Sequence, residues 1–369
     1  MAEPAAIKAP VEKPVPTLLG DILRVKKVNQ FKASADPVPV ACPSLLQGLE
    51  LEIEHCEEMD DSWRMNGITI HEDGSLRNTG REFITAPATL SVTAKLLNSF
   101  FVPGRFTARN YSERCSVHVH CNCQNLTPEQ LAGVLLLYQM TEDLLFDFVG
   151  EDRRDNIFCV PWSQTNLSYN AVGSILTKGP QAVKTWQKYT ALNLAPLFTL
   201  GTIEFRQMHG TSDVTKILNW CNIIGCLFEY AQQNSLDTII KWVKTLNTSS
   251  EYRSVLDSVF RQWADLLRSD GFERKIAEGV LNTKYLLMQP EKPAKKTITQ
   301  YYNESPTIIP QDVFEQPVAQ VRARRPVPLS VQDALNEMHN WVIQGSGGPF
   351  RIETTAPEIT VDYDAESPF

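Results

Sequence analysis

The sequence predicts an α+β fold, in which an antiparallel sheet comes first and a helical part follows. Three observations carry this. Apolar residues recur with period two in several short runs between positions 45 and 208, the pattern of half-buried strands. From 213 to 281 the period changes to that of helices, with Trp220, Ile224, Leu227 and Phe228 on one face. The prolines are also unevenly placed: of 23, seven lie in 1–43 and ten in 290–369, which leaves six for the long stretch between. Dense proline with few large apolar clusters marks segments that cannot bury enough surface to offset the entropy of ordering. The expected organisation is a flexible N-terminal arm (1–40), one folded unit (41–289, its helical part 212–289) and a Pro-rich, largely flexible C-terminal arm (290–369). Within that last arm, 331–343 has helical spacing of Leu335, Met338 and Trp341.

Each element has its own reason. The run 45–55 alternates apolar and acidic residues, as a strand does. Asp73-Gly74-Ser75-Leu76 is a turn signal, and Arg81-Glu82-Phe83-Ile84-Thr85 alternates after it. A helix is expected over 89–101, and period two returns over 115–123. Thr127 opens the clearest helix of the chain, with Pro128 at its first position and Gln130 three residues after the cap. That helix runs to about 148, and Gly150 stops it. Two further strands, 189–194 and 202–208, are expected to join through Gly201.

Composition narrows the function classes. Across 369 residues the net charge is −8, which argues against a dedicated nucleic-acid binder, since phosphate affinity rests on clustered Lys and Arg. No run approaches the roughly 18 apolar residues of a membrane span. The first residues lack the apolar core of a signal peptide, so the eight cysteines are expected to be reduced thiols in a cytoplasmic protein.

Three motifs can carry chemistry. In Gly48-Leu49-Glu50-Leu51-Glu52-Ile53-Glu54-His55 the glutamates share one strand face, about 6.6 Å apart, and the aliphatic residues share the other. Such a row either faces water or collects a hard cation such as Mg²⁺. In Ser116-Val117-His118-Val119-His120-Cys121-Asn122-Cys123, two His and two Cys suggest zinc, but alternation sends His118, His120 and Asn122 to one face and the cysteines to the other. The cysteines then read as small core residues, and the histidines as either hydrogen-bonded imidazoles or ligands. In Gly201-Thr202-Ile203-Glu204-Phe205-Arg206, Glu204 and Arg206 share a face, as an ion pair or as the carboxylate and guanidinium that phosphoryl transfer uses. With Glu82, these strands point to an antiparallel sheet with one acidic, metal-collecting face. The chain has no Walker loop, dinucleotide glycine turn or G-x-S-x-G elbow.

In order, G-x-E-x-E, D-G-S-L with R-E-F-I-T-x-P, S-V-H-V-H, Y-x-A-L-N-L and G-T-I-E-F-R with G-T-x-D resemble the amidoligase family. These are carboxylate–amine ligases related in fold to glutamine synthetase and glutamate–cysteine ligase. The resemblance spans 47–220. It implies a curved sheet of glutamine-synthetase-like type whose concave face binds ATP with Mg²⁺ (or Mn²⁺), with helices on the convex side. By position it implies metal binding by Glu50, Glu52, Glu82, His118 and Glu204, nucleotide contacts by the first three with His118 and Arg206, and catalytic roles for Glu204, Arg206 and His118. His120, Asn122, Tyr189 and Asn193 fall in matching blocks without an implied role, and Glu54 is expected to lie beyond the site. The implied activity is ATP-dependent formation of an amide or isopeptide bond through an acyl phosphate. Its partners are carboxylate and amine substrates (amino acid, peptide or protein-linked), with no nucleic acid and no membrane; homo-oligomeric assembly is compatible with the resemblance. Two other classes fit the residues: a non-catalytic scaffold or viral assembly protein retaining the fold, and a zinc-dependent hydrolase built on His118 and His120.

Overall fold

The computed structural model describes residues 16–57, 59–60, 63–165, 172, 175, 179–184 and 186–288. The expected helix at 331–343 therefore lies outside the described residues, as does the arm 290–369. Six strands form one sheet: β1 (Gln47–Ile53), β2 (Ile68–His71), β3 (Arg81–Thr85), β4 (Ser116–Asn122), β5 (Leu192–Asn193) and β6 (Thr202–His209), in the order β2-β3-β1-β4-β6-β5. Every adjacent pair is antiparallel. With helices α1 (Leu19–Leu23), α2 (Leu90–Phe100), α3 (Pro128–Val149), α4 (Val214–Gln233), α5 (Leu236–Thr245), α6 (Ser249–Phe260) and α7 (Phe272–Met288), this is an α+β fold.

Register follows from the alternation. Leu49, Leu51 and Ile53 of β1 sit beside Phe83 of β3, Val117, Val119 and Cys121 of β4, and Ile203 and Phe205 of β6, all at most 1% exposed. Helices cover this apolar face. Tyr138 of α3 lies edge-on to Phe205 at 5.8 Å, and Trp220 of α4 lies edge-on to the same ring at 6.5 Å. Helix α3 is buried on nearly all sides, as a helix apolar all round must be. Its far side takes α7 at close range: a Cβ at Gly279 would meet the Met140 carbonyl oxygen at 2.0 Å, so only glycine fits there. The opposite face of the sheet keeps the polar residues.

The expectations for α2 and α3 match the structure to within a residue or two, caps included: Thr127 accepts from the Gln130 amide (3.2 Å), and Gln130 accepts from that of Thr127 (3.0 Å). One other is corrected. The strand expected over 189–194 shrinks to Leu192–Asn193: residues 188–189 form a turn and Thr190 makes an isolated parallel bridge to Val160 before it, and a 3₁₀ turn (Ala195–Phe198) follows. Part of the segment 1–40 packs on the body. Leu19 is fully buried, and the amides of Leu19 and Gly20 donate to the Leu126 and Gln124 carbonyls (2.8 and 3.0 Å). Buried Gln124 locks this arm in place, its Nε2 donating to the carbonyls of Lys26 (2.8 Å) and Leu200 (3.1 Å).

The Thr127 cap yields a direct test. Thr127→Ala should lower stability by about 1 kcal/mol, a fall in Tm of ~2–4 °C for a domain of this size; a cooperative melt unchanged from wild type would show that the cap contributes nothing.

Candidate functional site

The polar face concentrates charge through its register. Glu50 of β1 stands opposite His118 of β4, Glu52 opposite Glu82 of β3, and His120 of β4 opposite Glu204 of β6. Cross-strand partners point to the same face, so three carboxylate-bearing strands and the His strand meet. Each of three sets has ligand atoms within 4.8 Å of one another: Glu50/Glu82/His118, Glu50/His120/Glu204 and Glu52/Asp73/Glu82. The structure therefore brings together every residue that sequence reasoning placed in a metal or catalytic role. It adds one that was missed, Asp73.

Asp73 enters from the turn before β3. Its carboxylate accepts from the Ser75 amide (2.7 Å), the side-chain-to-backbone bond typical of Asx turns. The loop is pinned to the end of β1. Glu54, expected to lie beyond the site, is 2% exposed and accepts from the Arg77 amide (2.8 Å), while the His55 amide donates to the Asn78 carbonyl (2.7 Å). His55, Asn78 and Thr79 all take positive φ (57°, 51° and 55°), conformations costly to non-glycine residues and held only where surroundings enforce them. The sequence signal was present in D-G-S-L, but a turn signal does not say where its aspartate points.

Strand β6 aims the other charges through an irregularity. Val119 pairs with Phe205 but Val117 with Met208, so Arg206 and Gln207 together oppose His118. Such a bulge re-aims side chains: Gln207 turns to the helices and donates to the Tyr138 hydroxyl (2.9 Å), while the Arg206 guanidinium pairs with Glu204. Arg153, 1% exposed, braces the bulge. Its Nε donates to the Gln207 carbonyl (2.9 Å), and its Nη2 to the Arg206 carbonyl (3.2 Å) and the Ser116 hydroxyl (2.8 Å). Nothing in the sequence around Arg153 announces this role. Asn193 also gains one: its Nδ2 donates to Glu204 (2.7 Å), fixing that carboxylate from the β5 side. Asn122 instead accepts from the Gln124 amide (3.1 Å) in a turn, and Tyr189 lies 6.0 Å from the Arg206 guanidinium carbon.

Electrostatics decide what the site needs. Two like charges ~4 Å apart repel by about 4 kcal/mol at an effective dielectric of ~20, and five carboxylates meet here with one guanidinium and two imidazoles. The protein relieves this unevenly. Burial disfavours the Glu50 carboxylate, but His120 and His118, each with a ring nitrogen 2.9 Å from it, hold it well below the usual range. Burial likewise disfavours ionised Glu204, and Arg206 and His120 outweigh it. His120 is raised, since the pull of Glu50 exceeds the cost of burying its charge. Glu82 has no such partner: burial and then the charges of Glu50, Glu52, Asp73 and Glu204 push it up to about 9. Burial also raises Glu52, against the pull of His118 and Arg206.

Two atoms of the site have unused ligand capacity. Glu52 Oε2 and His118 Nε2 are buried with no hydrogen-bond partner among the described residues, and buried polar atoms are otherwise nearly always satisfied. Oxygen ligands predominate in all three sets, which suits Mg²⁺ or Mn²⁺ better than zinc. All eight cysteines are free and buried, and none belongs to these sets.

With this geometry in view, the comparison with known families is specific. Residues 103–225 match the family described as "Putative amidoligase enzyme". The matched segment is about a third of the chain and contains the S-V-H-V-H, Y-x-A-L-N-L, G-T-I-E-F-R and G-T-x-D blocks. The blocks bearing Glu50, Glu52, Asp73 and Glu82 precede it and join the matched segment through the pairing of β1 with β4. By its name the family comprises amide-bond-forming ligases. No curated protein matches the chain. Among the described residues no helix is long and apolar enough to cross a membrane.

Glu82 sets a pH dependence for the metal-free protein. Its native proton is held up to about pH 9, whereas an unfolded glutamate loses its own near ~4.3. Between those values the native state binds more protons, so stability is full below the lower value and falls as pH rises toward the upper. The metal-free melting temperature should decline from pH 5 to pH 9, and Glu82→Gln, which cannot ionise, should flatten the decline; parallel profiles would exclude Glu82 as its source.

Proposed function

We propose that the protein is an ATP- and Mg²⁺-dependent carboxylate–amine ligase, with a sheet of glutamine-synthetase-like type, that forms an amide or isopeptide bond through an acyl phosphate. One observation carries this reading: five carboxylates from β1, β3, β6 and the Asp73 turn converge with two histidines and a buried arginine on the single polar face of the sheet. The match to amidoligases over 103–225 supports it.

The reaction joins an acid and an amine. A substrate carboxylate oxygen attacks the γ-phosphorus of ATP, ADP departs, and the acyl phosphate forms; the amine then displaces inorganic phosphate and loses a proton as the amide forms. Such chemistry demands positioning and charge neutralisation more than covalent help. Glu50, Glu52, Asp73, Glu82, Glu204 and His118 would hold the divalent cations. When bound, those cations supply charge neutralisation for phosphate and carboxylate that would otherwise face a strongly acidic wall. Arg206 presents a fixed guanidinium for the charge that spreads over the transferring phosphoryl oxygens. Its direction is set on three sides, by Glu204, by the Phe158 carbonyl that accepts from Nε (3.1 Å), and by the bulge that Arg153 braces. His118 lies within 3.3 Å of both Glu50 and Glu204, so it orients two of the proposed ligands at once. The substrates are a carboxylic acid and an amine of amino-acid, peptide or protein-linked type.

A screen of acids against amines, read by ADP release, tests this. Glu204→Gln and Arg206→Ala should each reduce ADP release by roughly 10²-fold or more, the usual loss on removing a transition-state contact, with unchanged circular dichroism. Wild-type turnover in both variants would overturn the assignment. Stoichiometric zinc that a chelator removes together with a hydrolytic activity would replace it with the hydrolase.

A further inference from the structure

Glu142 of α3 is a carboxylate only 2% exposed, set in the helix layer behind the sheet. Burial pushes its pKa up. Among the described residues its hydrogen-bond partners are three donors and no cation: the Trp162 amide (2.6 Å), the Ser163 amide (2.9 Å) and the Tyr138 hydroxyl (2.9 Å). A buried anion without a counter-ion is costly, and a core is usually better served by an apolar residue of similar size. Glutamine is no equivalent either. The two amides donate to different oxygens, so a carboxamide would turn its NH₂ against a backbone N–H in either orientation. The position requires a carboxylate.

The three donors lead to Glu204 and Arg206 by separate routes. The Tyr138 hydroxyl accepts from Gln207 Nε2 (2.9 Å), and Gln207 shares the bulge with Arg206. Trp162 donates its indole N–H to the Leu192 carbonyl (2.8 Å), and the next residue, Asn193, is the one that holds Glu204 (2.7 Å). The segment 158–163 makes the third route. At its far end the Phe158 carbonyl accepts from Arg206 Nε (3.1 Å). In its middle the Val160 carbonyl accepts from the Ala191 amide (2.8 Å), and the Ala191 carbonyl accepts from the Arg206 amide (2.9 Å). One end of this segment is therefore fastened to Glu142 and the other to Arg206. We infer that Glu142 is a positioning residue: from behind the sheet it fixes the segment 158–163 and the bulge, and through them the direction of the Arg206 guanidinium and the Glu204 carboxylate. It acts through Tyr138, Gln207, Trp162 and Phe158. The inference rests on the ligase reading for the task it gives Arg206 and Glu204, whereas the geometry it describes does not.

Nuclear magnetic resonance of the full-length protein with ¹⁵N-labelled arginine tests that geometry without any substrate. The Nε–H of Arg206, identified by its absence in Arg206→Ala, is bonded to a carbonyl and should exchange slowly with solvent. In Glu142→Gln, and more weakly in Tyr138→Phe, it should exchange faster, by about tenfold in the first. Where Glu142→Gln fails to fold, Tyr138→Phe, which removes a single hydroxyl, carries the test. With the acid and amine found by the ADP-release screen, Tyr138→Phe should lower kcat by about 10- to 10²-fold with KM unchanged, as misplacement of a reacting group does. In an Arg206→Ala background it should cause no further loss. An Arg206 Nε–H that exchanges at the wild-type rate in the folded variants would overturn the proposal. So would equal losses of kcat with and without the arginine, which would make Tyr138 a general stabiliser. Wild type that releases no ADP with any pair would remove the ligase reading, while faster exchange in the variants would still uphold the positioning.

Discussion

Glu52 of β1 faces Glu82 of β3 directly across the sheet, with Glu50, Asp73 and Glu204 close by. Like charges in that position destabilise a sheet, and no hydrophobic gain is available on this face to offset them. The molecule therefore has three ways to keep the arrangement: a proton on Glu82, the histidine and arginine partners of Glu50 and Glu204, and a bound cation. Burial and the neighbouring charges favour the first, the ion pairs of Glu50 and Glu204 supply the second, and Glu52 Oε2 and His118 Nε2 are left without a hydrogen-bond partner among the described residues.

Much of the remaining fold keeps these charges from spreading apart. The apolar face, clamped by α3 and α4, fixes the register of β1, β4 and β6, and a one-residue slip would turn every carboxylate toward the helices. The bulge at Arg206 and Gln207 lets one strand serve both faces, with a buried arginine bracing it through backbone carbonyls. Glu54 closes the opposite end by tying the Asp73 turn to β1. The site thus rests on backbone geometry more than on side-chain packing, and this suits chemistry whose main requirement is position.

The strand face was legible in the sequence because alternation is a local property. Glu50, Glu52, His118, His120, Glu204 and Arg206 sort onto one side by parity alone, and the capping residues of α3 name their own helix. Asp73 and Arg153 were not legible, because their roles depend on where a turn and a 3₁₀ segment land after folding. Asn193 sat in a matching motif, but its bond to Glu204 depends on the register between β5 and β6. The strand at 189–194 was overextended because alternation does not reveal that residues 188–189 form a turn and that Thr190 bridges to Val160 instead of β6. The packing of the segment around Leu19 and Lys26 was not legible, because proline density says nothing about backbone bonds to a neighbour, and Gln124 supplies them from about a hundred residues away.

The central claim is that this sheet face exists to hold divalent cations, and titration of metal-free protein with Mn²⁺, following free Mn²⁺ by its electron paramagnetic resonance signal, tests it most directly. Wild type should take up Mn²⁺ saturably and stoichiometrically, and Glu50→Gln/Glu52→Gln should lose that uptake with the fold intact. Folded wild-type protein that leaves Mn²⁺ free throughout the titration would contradict it.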